Sequence, residues 1–87
     1  MYLHLGQNVV VPETDVIGIF DLDNTTGSHT TRRFLNEAEK TRRVTTVSEE
    51  LPKSFILCGK NGDFVVYLSQ LSSQTLLKRS ESFLEKL

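Results

Sequence analysis

The 87-residue chain has little cysteine, no excess of basic charge and no long apolar run. Its single cysteine, Cys58, excludes an intramolecular disulfide framework, and its place within an apolar segment predicts a buried small side chain. A net charge of −1 argues against a generally basic nucleic-acid binder but allows a local basic patch. No apolar run approaches the roughly 18 residues of a membrane span, and no signal-peptide pattern opens the chain. We therefore expect a cytoplasmic protein.

The segment 54–69 is expected to form the centre of the fold. Two apolar runs, 55–58 and 64–68, flank a turn that contains Asn61-Gly62. Asn-Gly between β-branched and aromatic residues is a strong signal for a hairpin, because both turn residues tolerate positive φ. This hairpin therefore predicts the core of a small sheet, which the other elements must cover.

The remaining pattern predicts an α+β fold in which residues 1–87 form one domain. We expect a small, mostly antiparallel sheet of about six short strands with two helices, in the order β-β-β-α-β-β-β-α. Apolar residues at helical spacing predict the two helices; they are Thr31, Phe34, Leu35 and Ala38 in the first, and Leu76, Leu77, Phe83 and Leu84 in the second. A chain this short buries only about 60–65% of its unfolded surface, so oligomerisation would help it to fold.

Charge is distributed unevenly along the chain. Residues 1–31 carry four acidic residues and no lysine or arginine, whereas residues 32–43 carry five basic residues against two acidic ones. Two candidate surfaces for an anionic partner follow, although a run of charged residues is usually a solvated face. The DNA-binding candidates are Arg32, Arg33, Lys40 and Arg43 on or next to the first helix, and Lys53, Lys78 and Arg79 elsewhere.

A phosphatase-like motif occurs at the end of the third predicted strand. Asp21 and Asp23 in the run Phe20-Asp-Leu-Asp-Asn-Thr25 are similar to the first motif of the haloacid-dehalogenase-like phosphatases, which pairs a nucleophilic carboxylate with a second acid. The parallel crossovers of that fold, about 30 residues each, and its downstream acidic pair are missing. We therefore expect no catalytic site.

Metal and cofactor chemistry has equally little support in the sequence. His4 and His29 are far apart, and neither has a cysteine or an acidic residue at ligand spacing. The glycines of the central turn join two strands and open no helix, so they do not form a phosphate-binding loop. We expect no metal site and no cofactor.

Three segments together resemble one family. They are the opening run 1–6, the segment 52–57 and the run 67–79, which read MYLHLG, PKSFIL and YLSQLSSQTLLKR. In order and spacing they resemble the bacterial extracellular matrix regulators RemA and RemB, with the RemB branch the more similar. The resemblance implies a small α+β protein that assembles into a ring-like homo-oligomer, binds double-stranded DNA and regulates transcription of biofilm matrix genes.

The chain departs from the RemA pattern at the positions that would contact DNA. The family carries arginines in the turn before the third strand and in the loop before the central hairpin. Here Asp15 occupies the first position, and Glu50 and Leu51 occupy the second, so that Lys53 alone keeps a basic charge nearby. An anion facing phosphate repels the DNA backbone, whereas the apolar pattern behind the fold and the oligomer is retained.

Two functional hypotheses follow from this comparison. In the first, the protein is an oligomeric DNA-binding regulator that contacts mainly the phosphate backbone. In the second, it is an oligomeric interaction protein that modulates a DNA-binding, RemA-like paralogue and does not itself touch DNA. Asp15, Glu49 and Glu50 favour the second hypothesis, since they could meet the arginines of a paralogue.

Overall fold

A computed structural model describes residues 2–22 and 29–84, with side chains as far as Ser80 in the last helix. It contains six strands, two α-helices and a short 3-10 helix at Glu13–Asp15. The strands and helices are β1 (Tyr2–Gly6), β2 (Val9–Pro12), β3 (Val16–Asp21), α1 (His29–Lys40), β4 (Val44–Thr46), β5 (Ser54–Lys60), β6 (Asp63–Ser69) and α2 (Ser73–Leu84). The predicted class, element order and helix positions are confirmed.

The strands form two sheets, so the expectation of one six-stranded sheet is wrong. β1 and β2 pair as a separate antiparallel hairpin, and the other strands form a four-stranded sheet in the order β3-β5-β6-β4. β5 and β6 are its two central strands, as the Asn-Gly signal predicted. β4 lies parallel to β6, whereas the other pairings are antiparallel. The hairpin separates because its inward side chains pack on the face of the larger sheet and not along its edge.

The larger sheet is covered on both faces. Phe55 and Val66 are buried against Ala38 of α1, with Phe34 and Leu35 packed around them. Because successive side chains of a strand point to opposite faces, Ile56 lies on the other side. There it packs into a second cluster that contains Leu3, Leu5, Val11 and Leu76. Helix α1 therefore covers one face, and the β1–β2 hairpin together with α2 covers the other.

The central turn has the backbone that its sequence predicts. Asn61 and Gly62 have φ values of 55° and 80°, and Lys60 pairs with Asp63 across the turn. Positive φ at both central residues matches the twist of the flanking strands, which is why Asn-Gly favours a two-residue hairpin. The turn therefore fixes the register of β5 against β6.

One hydrogen bond caps α2, and another ties β6 to the N-terminal hairpin shortly before the helix begins. Ser72 caps the helix, since its hydroxyl oxygen accepts a hydrogen bond from the backbone N–H of Thr75 at 3.1 Å. Ser69, fully buried at the end of β6, donates a hydrogen bond from its hydroxyl to the carbonyl of Leu5 at 2.6 Å. Of the predicted anchors of this helix, Leu76 is buried, whereas the side chains of Phe83 and Leu84 lie outside the described residues. Leu77 is 45% exposed, so its predicted place on the buried stripe is wrong.

Candidate nucleic-acid interface

One face of α1 brings together three of the predicted DNA-binding residues. Arg32, Arg33 and Lys40 line a shallow concavity of about 450 Å³ with His29, Asn36 and Glu37. Arg32, Arg33 and Lys40 are all exposed. The Lys40 ammonium lies 4.0 Å from the Glu37 carboxylate, and within the described residues neither arginine forms an ion pair. This face, the α1 basic face, therefore presents more positive than negative charge to solvent.

Arg43 does not belong to this face, contrary to the prediction. Arg42 adopts a left-handed conformation, with φ of 60°, two residues after the helix ends. The backbone N–H of Arg42 then bonds to the Glu39 carbonyl, and that of Arg43 bonds to the Ala38 carbonyl, in the pattern of a Schellman motif. This motif turns the chain back toward β6, so the helical face that carries Arg32 and Lys40 ends before Arg43.

The Arg43 side chain instead ties the end of α1 to β6. Its guanidinium forms an ion pair with Asp63, donates a hydrogen bond to the Phe64 carbonyl at 3.3 Å and lies 4.6 Å from the centre of the Phe64 ring. Its own carbonyl accepts the backbone N–H of Val66 at 2.7 Å. Arg43 is therefore a structural residue, because its charge is already engaged within the chain.

Replacing Arg43 should affect stability and leave DNA binding unchanged. We expect Arg43→Ala to lower the free energy of unfolding by about 1–2 kcal/mol, because it removes a partly exposed ion pair and the packing of the guanidinium on the Phe64 ring. Urea denaturation measures this cost, and Lys40→Ala serves as a control with little effect on stability. A cost for Arg43→Ala no larger than that of the control would mean that the guanidinium does not hold α1 in place.

The other predicted residues lie apart from the α1 basic face. Lys78 and Arg79 are on α2, across the sheet from α1, and the Arg79 guanidinium donates a hydrogen bond to the His4 carbonyl at 3.0 Å. Lys53 is exposed just before β5, where its backbone N–H bonds to the Ser69 carbonyl and its carbonyl accepts the N–H of Leu22. The predicted residues therefore do not form one continuous surface in a single copy.

At the positions where the resemblance implies arginine, the chain has Asp15, Glu50 and Leu51. Glu49 and Glu50 are exposed and line a second shallow concavity with Gln7 of the β1–β2 turn. Leu51 beside them is 86% exposed. Asp15 lies beyond the other end of the hairpin, in the short helix that follows β2. The loop 49–51 is therefore an acidic and apolar surface and cannot attract phosphate.

A groove that the sequence did not indicate lies between the β1–β2 hairpin and the turn that joins β5 to β6. Its volume is about 520 Å³, and its lining is largely apolar: Val10, Val11, Pro12, Cys58, Phe64, Val65 and Tyr67, with Asp15, Lys60 and Asp63 among its polar residues. Burial, with a smaller contribution from the charge of Asp15, raises the pKa of the Cys58 thiol to about 11. Burial likewise raises the pKa of the Tyr67 hydroxyl. Both groups are therefore neutral at physiological pH.

The raised thiol pKa gives stability a dependence on alkaline pH. The folded chain keeps the Cys58 proton up to about pH 11, whereas the unfolded chain loses it near pH 9.0. This contribution to the free energy of unfolding is present in full below pH 9. It falls by about 2–3 kcal/mol as the pH rises from 9 to 11. We expect the free energy of unfolding to fall less steeply over this range in Cys58→Ala, where the Tyr67 contribution remains. Equal slopes in the two proteins would contradict the burial of a neutral thiol.

The structure describes only part of the phosphatase-like motif, and that part forms no catalytic arrangement. Asp21 is the last residue of β3 and pairs with Ser54 of β5, whereas Asp23 and Thr25 lie outside the described residues. Among the residues the structure describes, no group of three or more His, Cys, Asp or Glu side chains could hold a metal ion. In the same part of the chain, no helix has both the length and the apolar character needed to cross a membrane.

Comparison with known proteins connects this fold with a family. The sequence model of the family described as RemA-like, extracellular matrix regulatory protein A-like, matches residues 2–79. The chain belongs to the RemA-like family. It is also similar to extracellular matrix regulatory protein B of Bacillus subtilis (strain 168), with 38% identity over 85 residues that cover 98% of this chain and 96% of that protein.

Membership of the RemA-like family confirms the resemblance drawn from the three sequence segments. The match includes β1 to β6 and the first half of α2, and so contains every DNA-binding candidate named above. RemA-like proteins are a family of matrix regulatory proteins and not a known enzyme family.

Proposed function

We propose that this RemA-like chain is an oligomeric, DNA-binding regulator of matrix gene transcription, and that its α1 basic face contacts the phosphate backbone of double-stranded DNA. The observation that carries this proposal is the position of Arg32, Arg33 and Lys40 along one helix, with the Glu37 carboxylate as the one acidic group among the described residues that line their concavity. Guanidinium and ammonium groups on such a surface suit phosphates, whose recognition needs no particular base sequence. Such a regulator would act in the cytoplasm, with residues 1–87 as one domain.

Oligomerisation is part of the proposal because one copy offers few cations to the duplex. Three cations on one helix give weak binding, whereas a ring-like homo-oligomer repeats them at regular intervals along one duplex. Linked sites raise the overall affinity far above that of a single copy, provided that the geometry lets several copies engage at once. Lys53, Lys78 and Arg79 would join this track only if assembly places them beside the α1 basic face.

The salt dependence of binding tests this proposal. We expect the full-length protein to bind a fluorescent duplex in an anisotropy titration at about 50 mM salt. Its affinity should fall by about a thousandfold at about 200 mM salt if roughly six or more phosphates are neutralised. An absence of binding at the lower salt concentration, or an affinity that does not change with salt, would overturn the proposal.

The loop 49–51 favours a second candidate function. Its exposed Glu49, Glu50 and Leu51 combine two negative charges with an apolar side chain, which suits an arginine-bearing protein surface better than DNA. The chain would then modulate a DNA-binding, RemA-like paralogue without binding DNA itself. Co-purification with such a paralogue, abolished in Glu49→Lys/Glu50→Lys, would support this function, and the absence of any mixed complex would exclude it.

A further inference from the structure

Helix α1 projects from the face of the large sheet that it covers. Eight of its twelve residues are exposed, and Ala38 is the only one of the twelve that is buried. Phe34 and Leu35 are half-buried against the sheet. An α-helix with its side chains is about 10–12 Å across, and the major groove of B-DNA is about 12 Å wide. Helix α1 therefore has the exposure and the width of a helix that enters this groove.

Asn36 lies at the centre of the exposed side of α1. Successive residues of a helix are about 100° apart, so Arg32 lies about 40° to one side of Asn36 and Arg33 about 60° to the other. Lys40 follows one turn later, on the same side as Arg33. All four residues line the concavity of the α1 basic face. Cations therefore flank Asn36 on both sides.

The side chain of Asn36 offers hydrogen bonds that the chain itself does not use. Asn36 is exposed, and within the described residues its carboxamide forms no hydrogen bond. A carboxamide has donors and an acceptor, whereas a phosphate oxygen only accepts. Adenine presents both an N7 acceptor and an N6 amino donor in the major groove. The carboxamide of Asn36 therefore matches the edge of an adenine better than it matches a phosphate.

The carboxylates of α1 lie to the sides of this arrangement. Glu37 is about 100° from Asn36 around the helix and Glu39 about 60°, both outside the arc between Arg32 and Arg33. The Glu37 carboxylate is also 4.0 Å from the ammonium of a lysine on the same helix. With α1 in a groove, the two arginines would reach the phosphates along its borders, and Asn36 would face its floor.

We propose that α1 enters the major groove of double-stranded DNA and that Asn36 reads an adenine there. Its amide nitrogen donates to N7, and its amide oxygen accepts from the N6 amino group. This inference rests on the proposed function and goes beyond it, since contacts to phosphate carry no sequence information directly. Asn36 is then a specificity-determining residue, whereas Arg32 and Arg33 supply affinity.

A chemically altered base tests these hydrogen bonds. The full-length protein is incubated with a pool of randomised duplexes at about 50 mM salt, and the bound duplexes are sequenced. We expect adenine to be enriched at one or more positions. Replacing the enriched adenines by 7-deazaadenine, which still pairs with thymine but lacks the N7 acceptor, should lower the affinity in an anisotropy titration by about tenfold or more.

Two carboxamide variants show which residue senses the altered base. Asn36→Ala should bind the natural and the 7-deazaadenine duplex equally well, and its salt dependence should equal that of the wild type, because a carboxamide neutralises no phosphate. Gln74→Ala is the matched control: Gln74 is an exposed carboxamide on α2, across the sheet from α1, and its loss should leave the discrimination unchanged. Circular dichroism melting checks that both variants are folded.

The outcomes separate this inference from the proposed function. A wild type that enriches no base, or that binds the 7-deazaadenine duplex as tightly as the natural one, would overturn base reading and leave the phosphate contacts standing. An adenine preference that persists in Asn36→Ala would assign the reading to another residue and equally overturn the inference. An absence of binding to any duplex would overturn the proposed function, and this inference with it.

Discussion

Reversing the charge of Arg32 and Arg33 should weaken binding of duplex DNA by about a hundredfold or more at low salt. The double variant Arg32→Glu/Arg33→Glu removes two cations from each copy and places two anions at the same surface. Because the proposed ring repeats the α1 basic face, the effect multiplies over all copies that touch the duplex. Neither side chain is buried, so the fold and the oligomer should be unaffected.

Variants that remove the two positive charges without reversing them show how many phosphates the arginines neutralise. Arg32→Gln/Arg33→Gln should reduce the slope of log affinity against log salt by about 0.9 for each phosphate that the variant no longer neutralises. Lys78→Glu is the control: Lys78 is an exposed cation on α2, across the sheet from α1. Unchanged affinity and slope in the arginine variants, or an equal weakening in Lys78→Glu, would show that DNA does not lie on the α1 basic face.

Truncating Leu76 should cost about 2–5 kcal/mol of unfolding free energy. Leu76 is fully buried in the cluster that joins α2 and the β1–β2 hairpin to the large sheet. Leu76→Ala removes the transfer free energy of the deleted carbons and leaves a cavity that the packed strands fill only in part.

Leu51→Ala provides a matched control for the Leu76 variant, since it makes the same substitution at a leucine that is 86% exposed. Its cost in urea denaturation should stay within about 0.5 kcal/mol. A cost below about 1 kcal/mol for Leu76→Ala would mean that α2 contributes little to the core.

Local features of the fold were predictable from the sequence, and non-local ones were not. The Asn61-Gly62 turn and the apolar spacing in α1 each depend on residues close together in the chain, so pattern alone indicates them. The parallel pairing of β4 with β6 joins residues roughly twenty positions apart, and the placement of β1–β2 outside the large sheet depends on which face offers a core. The alternation of apolar and polar residues along a strand indicates neither which distant strand it pairs with nor which face of a sheet it covers.

The candidate site likewise has features that the sequence predicted and features that it did not. Arg32 and Lys40 share a face because helical spacing puts them there, as predicted, and Arg33 lines the same concavity. Arg43 was misplaced because the sequence around Arg42 carries no glycine to signal a left-handed helix end. The groove was not predicted because Val10 and Val65, which line it, lie in apolar strands, where the pattern indicates burial. Their exposure becomes visible only once the position of the hairpin on the large sheet is known.

The mass of the assembly in solution, with and without duplex DNA, tests the proposed function most directly. Light scattering on the full chain should show a closed oligomer whose mass increases with DNA at low salt and returns to the protein-only value at moderate salt. The Arg32→Glu/Arg33→Glu variant should form the same oligomer and gain no mass. An oligomer whose mass does not respond to DNA at any salt would contradict DNA binding and favour a role as a partner of a DNA-binding paralogue.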